Sequence, residues 1–403
     1  MKKLFLLVFI LVSIPFYGQW WTPQTSGVTA NLNDVYGISG NVVVVVGNGG
    51  TILKTIDGGA NWVQKTSGTT SNLMKLQFVN ANTGYAVGED GTLLKSIDGG
   101  ENWSSITTGI TTNLYGLSCV NESNFYISGD NGLIRKTIDG GANFIAQNYS
   151  TIYPVKTIQF LNDQIGYASS YDNYNSYAFI KTIDGGTTWT LLSNQISTFN
   201  FLNETIGFVT SGSVFKTIDG GLNLTNMAAS MAPPADLFSS NENEVWSVEN
   251  AFTLCGCSTF CIRKSEITNT GEIQEAQNCY SDTAGNRPFT AITFADATNG
   301  YVVGEYGHIY KNTTGNMENL EVYEFVKADN VMIYPNPTSN NIILENKNNT
   351  PISSIIISDM NSRRVLETTT VNSTIDVSSL AKGIYLMEVT CGEIPITKKL
   401  IKQ

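Results

Sequence analysis

The sequence predicts an all-β protein: a seven-bladed β-propeller followed by a small Ig-like β-sandwich. Three observations carry that expectation. A column of large residues recurs at Val44, Tyr85, Tyr126, Tyr167, Phe208, Trp246 and Tyr301, the first five members 41 residues apart and the later steps 38 and 55. A second, apolar column at Val35, Leu76, Leu117, Ile158, Phe199, Leu237 and Ile292 keeps the same steps. Each unit also offers four short β runs punctuated by Gly and Asn, such as LMKLQF, YAVG, TLLKS and WSSIT in the second. Four-strand units of roughly 40 residues are the signature of propeller blades.

The elements follow in chain order. Lys2 and Lys3 precede the apolar run Leu4–Ile14, which is too short to span a bilayer. Residues 1–18 are therefore expected to be a signal peptide, cut after Gly18. Residues 19–316 hold the seven units. The last unit, ending in YKNTTGN, lacks a terminal Trp strand, and WWTPQTSG near the N-terminus resembles WVQKTSG, the outer strand of unit one. The start of the mature chain is thus expected to complete the last blade and remove a free edge.

The hexapeptide KTIDGG occurs four times, with KSIDGG at Lys95–Gly100 as a fifth copy. It falls between the third and fourth strands, ahead of Trp62, Trp103, Phe144, Trp189 and Leu224. Paired glycines permit positive φ in a tight turn, and Asp57, Asp98, Asp139, Asp184 and Asp219 can accept the turn's own amide protons. Catalysis would not need five copies on five blades, so these acids, with Trp62, Trp103 and Trp189, read as structural. The pattern S/T-x-D-G-G-x-x-W resembles the Asp-box, or BNR, motif. The fuller GYAVGxDGTLLKSxDGGxxW resembles the photosystem II stability/assembly-factor-like BNR propellers, in which the box is structural. Units six and seven lack the aspartate, with Ile267 and Thr314 in its place.

Two blades carry insertions in the two–three turn, Ser169–Phe179 and Glu249–Cys261, on the face away from the boxes. Tyr171, Asp172, Asn173, Tyr174 and Tyr177 are the candidate ligand-binding residues, since interleaved aromatic and polar groups stack on a sugar or fill a partner's pocket. Short turns on the same face add Glu89, Asp90, Asp130 and Glu305. Of six cysteines, Cys255, Cys257, Cys261 and Cys279 gather in unit six and read first as disulfides in an exported protein. Adjacent Cys255–Cys257 pairing is strained, so the expected bridge joins Cys255 or Cys257 to Cys279, with the remaining two paired. A four-thiolate zinc site competes, but its spacing is irregular and no histidine is near. Cys119 reads as a small buried hydrophobe.

After a linker at 317–331, residues 332–403 form short alternating strands without a helix signal. Tyr334-Pro335-Asn336-Pro337, then Leu380–Tyr385 with Gly383 and Tyr385, then Lys398 and Lys399 in the terminal run, together resemble the type A C-terminal sorting domain of the type IX secretion system. The resemblance implies export by the signal peptide, passage across the outer membrane by that machinery, and release or surface attachment.

Composition narrows function. A net charge of −11 and five arginines leave no basic footprint for nucleic acid. One histidine, His308, leaves little room for a triad. No later stretch is long and apolar enough to span a membrane, and no metal or cofactor is expected. Sialidases also carry Asp-boxes, but that chemistry needs three converging arginines. Arg135 and Arg263 occupy equivalent third-strand positions, and only Arg287 stands outside the repeat. The expected function is a surface or secreted binding or adhesion module presenting loops to a glycan or protein. The alternative is a secreted glycoside hydrolase using carboxylates on the propeller face.

Overall fold

The computed structural model describes residues 21–403 apart from 148, 150, 152, 172–176, 194, 229–233, 253–257, 269–272, 283–287, 316–330, 347–351, 360–362, 369–373 and 392–393. The expected signal peptide, linker residues 317–330 and the tip of the tyrosine insertion lie outside the described residues, while Val331, expected in the linker, already begins a strand. The chain divides into two compact units, Met1–Glu318 and Asn319–Gln403.

Among the described residues, the first unit consists of seven antiparallel four-stranded sheets. Blades 1 to 6 each use four consecutive strands. In blade 7 the strands Phe289–Phe294, Gly300–Gly304 and Ile309–Asn312 are joined by Thr22–Gln24 as the outermost strand, with Thr22 opposite Lys311. The expected closure is therefore present. Trp21, just before this strand, is fully buried and meets Trp246 of blade 6 edge-on at 5.8 Å and Phe294 at 6.0 Å. Gly300 makes room for it: a Cβ there would stand 2.9 Å from the Trp21 ring.

Burial follows strand position. Second strands such as Val43–Gly47, Gly84–Gly88 and Phe125–Gly129 are buried at every residue, because both their faces meet a neighbouring blade. Outer strands are short and solvated, as in Val63–Lys65 and Ser104–Ser105. The core is correspondingly split into clusters between blades. Val44, Val46 and Ile52 of blade 1, for instance, interlock with Leu73, Leu76, Phe78 and Leu94 of blade 2.

The second unit pairs a three-stranded sheet (Val331–Tyr334, Asn341–Asn346, Thr374–Asp376) with a four-stranded one. The latter runs Arg364–Thr368, Ile352–Asp359, Gly383–Cys391, Ile394–Lys402 in spatial order. Ile342, Leu344 and Ile375 from the first sheet share a core with Ile355, Ile357, Met387, Val389 and Leu400 from the second. This is the small β-sandwich that the alternating strands predict.

Candidate functional site

The repeated acids are turn braces. In blade 1, Thr55 Oγ1 donates to Asp57 Oδ1 at 2.8 Å and accepts from the Gly59 amide at 2.9 Å. Asp57 in turn accepts from the amide and side chain of Asn61 at 2.9 and 2.8 Å. The same closed circuit surrounds Asp98, Asp139, Asp184 and Asp219. These bonds, those from Asn61 first, hold the Asp57 carboxyl at about 2, well below its ordinary range. Gly58 and Gly59 have φ of +70° and +91°, a conformation other residues adopt only with strain. The Gly58 amide then bonds Asn41 O in the one–two turn of the same blade at 2.9 Å, which puts box and turn on one face.

Two roles escaped sequence reading. In blade 7 Asn312 stands where the other boxes have the bracing Thr or Ser, and its side-chain oxygen braces the turn by accepting from the Thr314 and Gly315 amides at 2.9 Å each, while Thr314 holds the acid's position. The repeat lysines lie over the aromatic of their own second strand, Lys136 at 5.1 Å from the Tyr126 ring and Lys181 at 5.0 Å from that of Tyr167. Lys311 also bonds Gly58 O in the box of blade 1 at 2.6 Å. The box tryptophans pack between blades as expected: Trp62 of blade 1 lies edge-on to Tyr301 of blade 7 at 6.3 Å.

The innermost strands of all seven blades line an axial cavity of about 500 Å³. Its wall is a chain of side chains, each reaching from one blade to the exposed backbone of the next. Asp34 accepts from the Leu76 amide at 2.8 Å, Gln77 from Cys119 at 2.8 Å, Ser118 from Phe160 at 2.7 Å, Gln159 from Phe201 at 2.8 Å and Asp236 from Ile292 at 3.0 Å. Lys75 adds an ion pair to Asp34 at 2.9 Å. Burial opposes its charge, but the Asp34 carboxylate, supported by Asp236, outweighs burial and lifts the ammonium above its ordinary range. Cys119, an unbridged cysteine next to this wall, has its thiol pushed up by burial alone, as befits a packed hydrophobe.

At the end of the cavity nearer the two–three turns stand Tyr115 and Lys156, whose ammonium lies 5.5 Å from the Tyr115 ring. Burial raises the Tyr115 hydroxyl, and Asn113, Asp130 and Glu89 act on it. Asparagines bind the turns around this mouth: Asn72 accepts from the Gly49 amide at 2.8 Å, Asn113 from Asp90 at 3.3 Å and Asn31 from Tyr306 at 3.1 Å. These asparagines precede their strands at the repeat spacing, a signal present in the sequence but not read from it.

The insertions differ from expectation in form. Gly166–Tyr171 pairs with Tyr177–Thr182 out to Tyr171 opposite Tyr177, so the first insertion is a hairpin extension; its tip, with Asp172, Asn173 and Tyr174, lies outside the described residues. Blade 6 likewise extends through Glu244–Phe252, Ser258–Ile267 and Ile273–Asp282. This corrects the cysteine pairing. Cys261 is a strand residue facing Cys279 across the ladder, Cα atoms 4.1 Å apart, and these two form the disulfide. Cys255 and Cys257 lie outside the described residues. Arg263 is buried between Glu249 (3.1 Å) and Glu275 (2.6 Å) on its third strand. Arg287 lies outside the described residues.

In the second unit the three separated motifs meet. Asn336 Oδ1 accepts from the Ile401 amide at 2.9 Å, the Thr338 amide donates to Ile401 O at 2.9 Å, and the Gln403 amide donates to Thr338 O at 2.8 Å. Both prolines of Tyr334–Pro337 follow cis peptide bonds. Tyr385 is buried and donates to Ala381 O at 2.8 Å. Lys398 and Lys399 lie on the last strand, opposite Met387 and Leu386.

A family model described as photosynthesis system II assembly factor YCF48 matches residues 21–313, and one described as secretion system C-terminal sorting domain matches 332–403. No curated protein matches the chain. Among solved structures, YCF48 bound to D1 peptide is similar with a TM-score of 0.57 at 20% identity, over 73% of this chain and 97% of that one. YCF48 from Cyanidioschyzon merolae gives 0.56 at 17%, over 73% and 98%. The WD40 repeats of RRP9 give 0.57 at 9%, over 73% and 97%. At these identities the likeness speaks for the propeller fold.

Proposed function

The chain belongs to the family of the photosynthesis system II assembly factor YCF48 and carries a secretion-system sorting domain, and we propose that it is an exported binding module that holds a protein or glycan partner at the two–three-turn face. The sorting domain assigns it to the type IX secretion machinery and to the cell surface or the medium. The observation that carries the binding reading is the division of labour in the axial cavity. Asp34 and Asp236 hold backbone amides of the wall, and the mouth sets the Tyr115 ring and the Lys156 ammonium 5.5 Å apart beside a rim of turn groups.

A protein partner is favoured over a glycan. A solved YCF48 is bound to a D1 peptide, and a mouth lined by an aromatic ring, a cation and amides suits an extended polypeptide. The blade 4 ladder, paired out to Tyr171 opposite Tyr177, ends at the two–three turn, and the tyrosine insertion there is proposed to widen the contact. The glycosidase alternative requires two free carboxylates facing a substrate, and the wall acids answer a structural need instead.

The test is peptide-array and glycan-array binding by the mature chain, with product release followed in the same samples. Tyr115→Ala with Lys156→Ala, and separately Tyr171→Ala with Tyr174→Ala and Tyr177→Ala, are expected to lose peptide binding while the fold persists. Release of sugar product that depends on a propeller carboxylate overturns the reading.

A further inference from the structure

Outer strands are where a propeller exposes unpaired main chain, and six of the blades keep them short. They run for 3, 2, 2, 4 and 4 residues in blades 1 to 5 and 3 in blade 7. In blades 4 and 5 the ladder to the outer strand is also broken by an irregularity in register. Blade 6 departs from this pattern. Its outer strand Ile273–Asp282 runs for 10 residues, pairs without a break from Ile273 opposite Ile267 to Asp282 opposite Ser258, and ends the sheet. Gln274, Glu275, Gln277 and Cys279 are exposed, and among the described residues no strand pairs with the outer side.

Natural edges are blunted by charged side chains, lysine above all, and by proline, bulges or brevity. The segment IQEAQNCYSD has no lysine, proline or bulge, and its charges are the two acids Glu275 and Asp282. The Cys261–Cys279 disulfide further ties this edge to its neighbour, holding its hydrogen-bonding row in place instead of letting it fray.

We propose that this strand is a dimerisation edge, pairing antiparallel with the same strand of a second copy. Two-fold closure suits that occupant, and the charges allow it. The strand carries two acids, Glu275 and Asp282, and no base. In a two-fold antiparallel ladder each residue faces one of the same odd or even parity, so Glu275 never opposes Asp282. Centring the pair on Gln277 sets Glu275 opposite Cys279, and centring it on Asn278 sets Glu275 opposite Ser281. Two copies therefore meet without like charges face to face, and the contact closes on itself as an isologous interface. The joined blades become one eight-stranded sheet across the two-fold axis.

Sedimentation and light scattering of the full mature chain over the micromolar range test this. Wild type is expected to dimerise reversibly, with amide exchange over 274–281 slowing as concentration rises. Gln277→Glu suits the neighbouring Arg263 within one copy but places like charge near the two-fold, and is expected to weaken the dimer about tenfold with an unchanged melting temperature. Mixing it with Gln277→Lys is expected to restore association. A chain that stays monomeric at all concentrations overturns the proposal and leaves the edge to a strand from a different protein. A dimer indifferent to Gln277→Glu, or one that mixing does not restore, overturns it as well.

Discussion

Lys75 reaches from blade 2 into blade 1 and sets its Nζ 2.9 Å from Asp34 Oδ1, while the other oxygen of that carboxylate holds the Leu76 amide at 2.8 Å. One side chain thus satisfies both a cation and a strand edge. Asp34→Ala leaves the Leu76 amide and a part-exposed ammonium without their partner and is expected to cost about 1–3 kcal/mol, most of it from the unsatisfied buried amide. Adding Lys75→Met should recover part of that loss. Urea unfolding of the single and double variants decides it; equal midpoints for the two would count against the coupling.

Acid should attack the Asp-boxes. Asp57, Asp139 and Asp219 sit at about 2 against an ordinary 3.8, held there by the bonds of their own turns. A carboxyl lowered by folding stabilises above its unfolded value and loses that contribution as pH falls through the folded one. The melting temperature is therefore expected to be insensitive to these groups above about pH 4 and to decline between about 4 and 2. Asp57→Asn should lower the neutral-pH value and flatten the acid limb, as seen by circular dichroism.

The closing strand rests on Trp21, fully buried between blades 6 and 7. Trp21→Ala is expected to destabilise the propeller by about 3–5 kcal/mol, in line with large aromatic truncations in cores. Calorimetry of the full chain should show the propeller transition move while that of the C-terminal unit stays in place. A shift of both transitions would mean that the two units do not melt independently.

Cys261 and Cys279 enclose a sequence separation of 18. A loop of that size predicts a loss of about 3 kcal/mol on reduction or in Cys261→Ala with Cys279→Ala. Comparing unfolding with and without reductant in wild type and in the double variant separates loss of the bridge from loss of packing. Reductant should leave the variant unchanged.

Asn336 ties the first motif of the sorting domain to the last strand through Ile401. Asn336→Ala is expected to raise amide exchange at Ile401 by about tenfold, matching the loss of one hydrogen bond of about 1.4 kcal/mol, and to leave chain accumulating in the periplasm. Unchanged exchange at Ile401 would show that the bond does not hold the terminus.

Most of the propeller was legible because its repeat writes the same physical demands seven times. Val35 and its equivalents mark the inner strand, the residues aligned with Tyr85 the second, and Asp57 with its glycines the last turn. Where the grammar breaks, prediction weakened. Cys261 was read as loop because cysteine and phenylalanine were assigned to an insertion, whereas STFCIRKSEI continues the third strand and sets its partner by register. Asn312 replaces the bracing hydroxyl of Thr55 and its equivalents by an amide oxygen that accepts the same turn's amides, a substitution that a search for aspartate passes over. The axial wall was invisible for a different reason: Asp34, Gln77, Ser118, Gln159 and Asp236 share a task but no residue type, and each partner lies in the next blade.

Thr22 and Lys311, which meet when the ring shuts, stand 289 positions apart. The strand that leaves the ribosome before any other blade residue is thus the one that waits longest for its neighbour. Closing so long a loop adds little entropy beyond that of a shorter one, so the delay is one of order rather than of energy. Until Ile309–Asn312 has arrived, no shut ring exists and Thr22–Gln24 has no strand to pair with. A chain that stops short of Ile309–Asn312 therefore leaves Thr22–Gln24 without its ladder, so the two ends of the propeller become ordered together or not at all.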